Sequence, residues 1–420
     1  DNQEPANEKY YSKTRKIRVI VDDFNFDPES VKFTGKGELG DWVRLGDSYR
    51  AVITCAMEGE YKMSFSCSDK SGNKSEVVES DDFIIDTVKP TLKVEGVSDG
   101  VSYKRNVKID INFSDKNLDE SEVRVSLVGK KNGAIKVDGD LDKDSGSYHL
   151  EGFPDDEKYD DVYTLRVHVG DMAGNEDEVV STFSLNRYGS HYSSDAANVF
   201  GKYINSPEDI VIKEENVDRL DTKKCKVVII RDGKTLNVDD SAIHIRESES
   251  TSGWSYEYII DKSVLDADGV YQIQIYSSSE DGTSYSSVSE EYSFVLDSSA
   301  PEVVLSGIED NGVYREYRKK VTVDGRDLSG VDTVIARVNG KEVSVSEDDG
   351  MYWFEVTESK DIQNLTVEVT DKAGNTTVSG ISGFYLSTDP LVFIVNQPWF
   401  RLGVGAVGVV VLALIALISR

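Results

Sequence analysis

The residues best suited to chemistry lie in one short pattern used three times. "CSDKSGNKS" at 67–75, "VGDMAGNED" at 169–177 and "VTDKAGNTT" at 369–377 each carry Asp-x-x-Gly-Asn. Asp and Asn offer oxygens to a hard cation such as Ca²⁺, which takes about six to eight of them. A second acidic motif supplies more: Asp23, Asn25 and Asp27 in "DFNFD", then Asp115, Asn117 and Asp119 in "DKNLD". These residues also have a purely structural use. Asp accepts bonds from turn N–H groups, Gly supplies a positive φ, and Asn bonds to nearby backbone. Both motifs therefore read as turns, with Phe26 and Leu118 plugging the core behind them. The fourth counterpart is "GRDLS", with Gly325, Asp327 and Ser329, which argues against one uniform cation site. The turn reading takes precedence: no metal ligand, cofactor or catalytic residue is assigned, and Ca²⁺ stands as the alternative.

Other chemistries fare worse. "DLDKDSGSYHLE" puts Asp140, Asp142, Asp144 and Glu151 at EF-hand ligand positions, but Ser145 stands where the loop needs Gly, and no helix pair flanks it. It reads instead as a hairpin turn. His149, His168, His191 and His244 are scattered, with no nucleophile motif beside them. Carboxylate pairs are too abundant to indicate glycosidase chemistry. "GVGAVG" near the C-terminus matches a dinucleotide fingerprint, yet lacks the strand before it and the acidic ribose ligand after it. Cys55, Cys67 and Cys225 show no zinc spacing, and a Cys55–Cys67 bridge competes with free buried thiols. Asn364 and Asn375 open glycosylation sequons, a pattern too short to assign a modification by itself. The sequence is expected not to be an enzyme.

Composition sets the broad class. Lys and Arg number 47 against 77 Asp and Glu, for a net charge of -30 and a pI near 4.5. Such a surface repels nucleic acid. The 420 residues exceed one ordinary core. Runs such as "YTLRVHV" and "YQIQIY" alternate apolar and polar residues, the period of half-buried strands.

The elements that must position the motifs repeat. "DTVKPTLKVEGVSDGVSY" from Asp86 and "DSSAPEVVLSGIEDNGVY" from Asp297 share their Asp, Pro, Gly and Tyr spacing at an offset of 211 residues. Two intervals of about a hundred residues fit that offset, the size of a β-sandwich and not of a solenoid repeat. "EGEYKMSFS", "DDVYTLRVHV" and "DGVYQIQIY" each run from a corner through Tyr into a strand, the pattern of a tyrosine corner at strand F of an immunoglobulin-like fold. The fourth copy departs, with Asn364 at that place in "DIQNLTVEV". Asp-x-x-Gly-Asn then falls in the F–G loop and the second acidic motif between strands B and C, at the same end of each sandwich.

The DxxxP openings, "DKNLD" after the second strand and "DKAGN" between the last two together resemble the Ig-like repeats of bacterial envelope proteins, especially large surface proteins of Gram-positive anaerobes. The resemblance covers most of residues 15 to 387. It implies sandwich folds, surface display, and roles in adhesion or in spacing other modules, without catalysis.

The expected architecture is all-β: an N-terminal extension 1–14, Ig-like domains at 15–86, 87–186, 187–297 (divergent) and 298–386, a juxtamembrane linker 387–398, and a transmembrane helix 399–420. That helix rests on the apolar run from Leu402 to Ser419, flanked by Trp399, Phe400 and Arg401. The expected function is a membrane-anchored, single-pass extracellular stalk, its partners being the membrane and a host or envelope protein or glycan, with no nucleic acid. One alternative is an adhesin using its own loops, with Trp254, Tyr256 and Tyr258 of the divergent unit as aromatic surface if they face outward. Another is a carrier for an upstream enzyme.

Overall fold

The computed structural model describes residues 4–135, 139–142, 146–150, 152–279 and 286–400. Within them the chain forms four successive β-sandwich units, each around its own apolar cluster. Alternation builds the strands. Along Asp161–Gly170, Tyr163, Leu165, Val167 and Val169 are fully buried while Arg166 is exposed. Period-two burial of this kind fixes register, because a slip of one residue would turn every apolar side chain outward.

The second unit gives the plan. One sheet orders Thr91–Glu95, Ile109–Ser114, Ser147–Leu150 and Gly139–Asp142; the other orders Ser102–Tyr103, Glu176–Leu185, Asp161–Gly170, Arg124–Gly129 and Gly133–Ala134. Every pairing is antiparallel except that of Ser102–Tyr103, which runs parallel to the end of Glu176–Leu185. The third and fourth units repeat both sheets, with first strands His191–Ser194 and Glu302–Ser306. This is the two-sheet arrangement of an immunoglobulin-like sandwich.

Tyrosine corners sit where the sequence places them. The hydroxyls of Tyr61, Tyr163 and Tyr271 donate to the carbonyls of Met57, Tyr159 and Ala267 at 2.5, 2.7 and 2.7 Å. In the fourth unit the register puts Gln363, not Asn364, at the tyrosine position: Tyr163 pairs with Phe183 as Gln363 pairs with Phe384. Gln363 is buried and donates to the Thr357 carbonyl at 3.4 Å. Asn364 braces the neighbouring turn, its N–H reaching Asn339 Oδ1 at 2.8 Å.

The first unit differs at one edge among the described residues. Arg15–Val21 lies at the end of its sheet, followed by Ser48–Cys55 and Glu38–Leu39, whereas its counterparts in the other units are covered by a first strand. Tyr10–Tyr11, inside the expected extension, pairs parallel to Ile84 and Ile85 and so belongs to this unit.

The membrane-spanning expectation is corrected. Among the described residues no helix is long and apolar enough to cross a bilayer. The α-helix Pro390–Asn396 has seven residues, capped by Asp389 accepting from the Leu391 N–H at 2.9 Å, and it occupies the expected linker. A bilayer needs about 20 residues of helix. The apolar run from Leu402 to Ser419 and its "GVGAVG" lie outside the described residues.

Candidate metal centres at two junctions

Each Asp-x-x-Gly-Asn is a turn, and its bonds account for all three residue types. Asp69, Asp171 and Asp371 accept the N–H of the Asn four residues on at 2.8, 2.9 and 2.8 Å, and its side-chain amide at 2.8, 2.7 and 2.8 Å. Gly174 sits at φ 83°, a left-handed conformation that other residues adopt at a cost. The second motif starts with a similar local turn: Asp23 and Asp115 accept the N–H of Asn25 and Asn117 at 2.7 Å. Asp27 and Asp119 stay apart from this, each capping the residues just after it. Phe26 plugs its core, edge-on to Trp42 at 4.7 Å, and Leu118 packs against the second.

Two of these turns do more. Asp115 and Asp171, from the two loops at one end of the second sandwich, converge with Asp86 of the connection from the first. Carboxylate oxygens of the three lie within 4.8 Å of one another. Asp327 and Asp371 of the fourth unit converge in the same way with Asp297 of the preceding connection. Thus the fourth unit builds an equivalent cluster despite its divergent "GRDLS": Asp327 and Ser329 take part, and Gly325 stays in the strand Arg318–Arg326. Asp86 and Asp297 are the residues that sequence reasoning missed. Their shared Asp-to-Pro spacing was visible, but only as a mark of the repeat.

The clusters tie each connection to the next unit's loops. Asn117 donates to Asp86 Oδ2 at 2.5 Å, and Asn175 donates to the Asp86 carbonyl at 3.0 Å. At the other junction the Ser329 N–H reaches Asp297 Oδ2 at 2.9 Å and Asn375 reaches the Asp297 carbonyl at 2.7 Å. Asp86, Asp171, Asp297 and Asp371 are all buried. Crowding of like charges has its electrostatic trace. Burial pushes the Asp115 carboxyl above its ordinary range, and the charges of Asp86, Asp171 and Glu58 push it further, against the Asn117 N–H. Burial likewise raises Asp327, helped by a hydrogen bond shared with the Asp297 carboxyl. The donor set of hard carboxylate oxygens on three separate segments suits Ca²⁺.

The junction between the second and third units is built differently. The connecting residue is Asn186, whose amide donates to Asp218 Oδ2 and Asn216 Oδ1, both at 2.8 Å. Ser279 bridges Leu220 as Asp171 bridges Leu118, so a neutral residue holds that carboxylate position. The remaining charge, Asp218, meets Lys104 at 3.4 Å and the hydroxyls of Ser102 and Ser184 at 2.5 Å.

The other candidates separate. Tyr256 and Tyr258 are fully buried, the first accepting the Leu220 N–H and the second donating to buried Glu214 at 2.5 Å; Trp254 is half-buried under Arg219. The aromatic surface expected of an adhesin therefore belongs mainly to the core. Cys55, Cys67 and Cys225 are all free thiols, which corrects the possible Cys55–Cys67 bridge. His149 bonds Asp110 at 2.6 Å, while His168 and His191 lie 3.6 and 4.0 Å from Glu122 and Glu157. Of the EF-hand-like run, Asp144 and Glu151 lie outside the described residues, and Asp140 and Asp142 sit on a strand hairpinned to Ser147–Leu150.

A tetra-tandem repeat from the extending region of a large adhesion protein aligns over 90% of this chain and 96% of its own, at 14% identity and a TM-score of 0.37. Fibronectin(III)-like modules of Clostridium thermocellum CbhA align over 47% of this chain and 94% of theirs, at 17% identity and a TM-score of 0.24. At such scores neither carries an inference. Among curated proteins none matches the sequence. Residues 52–187, running from the first unit through the whole of the second, match the family model of the bacterial Ig-like domain (group 3). The likeness to the bacterial Ig-like family is thus carried by residues 52–187, which include the whole of the second unit.

Proposed function

We propose that this chain is a non-catalytic extracellular spacer whose sandwich units hold other modules apart, and that Ca²⁺ clamps two of its three junctions. The observation that carries the reading is the recurrence of one carboxylate triad, Asp86–Asp115–Asp171 and Asp297–Asp327–Asp371, each joining a connection to two loops of the following unit. A spacer must resist bending where units meet. Three carboxylates drawn together in a chain of charge -30 repel one another unless a cation or protons compensate them. Support comes from the junction that lacks the triad, where the Lys104 ammonium supplies positive charge to Asp218. Carboxylates of the three Asp would hold the ion, and water would complete its shell. Burial of the divergent unit's tyrosines removes the feature that favoured an adhesin.

The test is residue-resolved hydrogen exchange with Ca²⁺ and with chelator. Exchange should slow with Ca²⁺ at Thr87, Val88, Ser298 and Ser299, next to the triads, and stay unchanged at Arg187 and Tyr188. Equal exchange at all three junctions in both conditions would sink the clamp.

A further inference from the structure

One carboxylate of the third unit, that of Asp218, is held by four residues of the second. The hydroxyls of Ser102 and Ser184 donate to it at 2.5 Å, the Asn186 amide donates at 2.8 Å, and the Lys104 ammonium lies at 3.4 Å. The Asp218 side chain is only 13% exposed, so these bonds are made largely away from water. Two parallel segments bring the donors together: Ser102 pairs with Ser184, and the Asn186 N–H reaches the Tyr103 carbonyl at 2.9 Å.

The other junctions carry different side chains on the same backbone. Tyr10 pairs with Ile84 and Tyr203 with Val295, as Ser102 pairs with Ser184. The N–H groups of Asp86 and Asp297 reach the carbonyls of Tyr11 and Ile204, which puts Ser12 and Asn205 at the place of Lys104. Facing them stand Asn117 and Ser329, each two residues after the acceptor of its turn, as Asp218 follows Asn216. There the bond runs the other way. Asn117 and the Ser329 N–H donate to the carboxylates of Asp86 and Asp297, whereas at the middle junction the connection donates and the loop accepts.

We propose that the second unit ends in a carboxylate socket, formed by Ser102, Lys104, Ser184 and Asn186, which selects a following unit bearing an acid at the place of Asp218. A carboxylate offers about four acceptor positions on its two oxygens, and four donors, one of them cationic, answer them. An amide in place of Asp218 would turn N–H groups against these donors and leave buried polar atoms unpaired. Conversely, an acid in place of Asn117 would face the Asp86 carboxylate. The units are therefore not interchangeable, and at the middle junction the choice of neighbour needs no ion.

The test uses the full chain in chelator, which keeps it separate from the Ca²⁺ clamp. Asp218→Ala empties the socket. Hydrogen exchange at the Ser184 and Asn186 amides, which join the two socket segments, should quicken by about tenfold or more, the measure of one lost bond to a charged group. Formate should restore protection saturably, while chloride at equal ionic strength should not. Lys104→Met should weaken the formate effect and Lys104→Arg should keep it. The isosteric Asp218→Asn should loosen the same amides without responding to formate, since its side chain still fills the socket. Asn117→Asp should likewise quicken exchange at Asp86, and adding Ser12→Lys with Asp86→Asn should reverse it. Unchanged exchange in Asp218→Ala would overturn the socket. So would faster exchange that formate and chloride relieve equally or not at all. Failure of the paired changes at residues 12 and 86 to re-tighten the Asn117→Asp chain would overturn the rule of neighbour choice.

Discussion

Asp115 and Asp327 decide whether the junction clusters are electrostatic liabilities or binding sites. Both carboxyls are raised above the ordinary value of 3.8 by burial and by neighbouring acids. The folded state then holds more protons than the unfolded state between the ordinary value and the raised one, so stability falls as pH rises through that window. Without divalent cation, Asp115→Asn and Asp327→Asn should remove this loss and leave the flanking units as stable as the parent, or more so, at pH 7. With Ca²⁺ the order should reverse, because a cation needs the carboxylates ionised. Melting followed between pH 3.5 and 7, in chelator and in Ca²⁺, checks both signs. A parent whose stability rises with pH in chelator by the same amount as the double variant would contradict the argument. At this scale the sequence was half legible. Asp171 and Asp115 could be placed at one end of a sandwich from loop order alone. Asp86 could not, because joining it to them depends on how one unit seats on the next, which local spacing does not encode.

Strand periodicity made the sandwiches legible, since a residue inside the core must recur at every second position whatever the loops do. The corner tyrosines were legible for the same reason, each hydroxyl answering one backbone carbonyl. Their worth is measurable: Tyr163→Phe removes the bond to the Tyr159 carbonyl and should cost the second unit about 0.5–1.5 kcal/mol. Harder to foresee was the inside of the third unit, where a fully buried Glu214 accepts from Tyr258 at 2.5 Å and from Ser277 at 2.6 Å. Alternation in "SGWSYEYII" left open which face points inward, and an acidic residue at a core position, as Glu214 is in Ile210–Asn216, looks like a surface one until its partners are seen. Tyr258→Phe leaves that carboxylate short of a donor. The expected loss is about 1.5–3 kcal/mol, the range for a hydrogen bond to a charged group, confined to the third unit. Urea unfolding monitored by hydrogen exchange within Ile210–Asn216 measures it; a loss shared by all four units would mean that the units do not unfold separately.

Across the whole chain, general repulsion and local clamping predict different responses to salt. With 77 acidic residues against 47 basic ones, monovalent salt should relieve repulsion everywhere, screening charges beyond about 10 Å at 0.1 M. Ca²⁺ acting only as a counterion would do the same, with no preference among junctions. A clamp is local: it draws a connection onto the loops of the next unit, at Asp86 and Asp297 but not at Asn186. Spin-label distances measured across each junction at constant ionic strength separate the two. Replacing NaCl by Ca²⁺ should narrow the distance distributions between the first and second units and between the third and fourth. The distribution between the second and third should not change, because Lys104 already compensates Asp218 there. Replacing Ca²⁺ by Mg²⁺ should recover little of the narrowing, since the smaller ion keeps its waters and demands octahedral geometry. Uniform narrowing at all three junctions would reduce the triads to part of the general negative field, and the chain's stiffness would then have to come from the connections themselves.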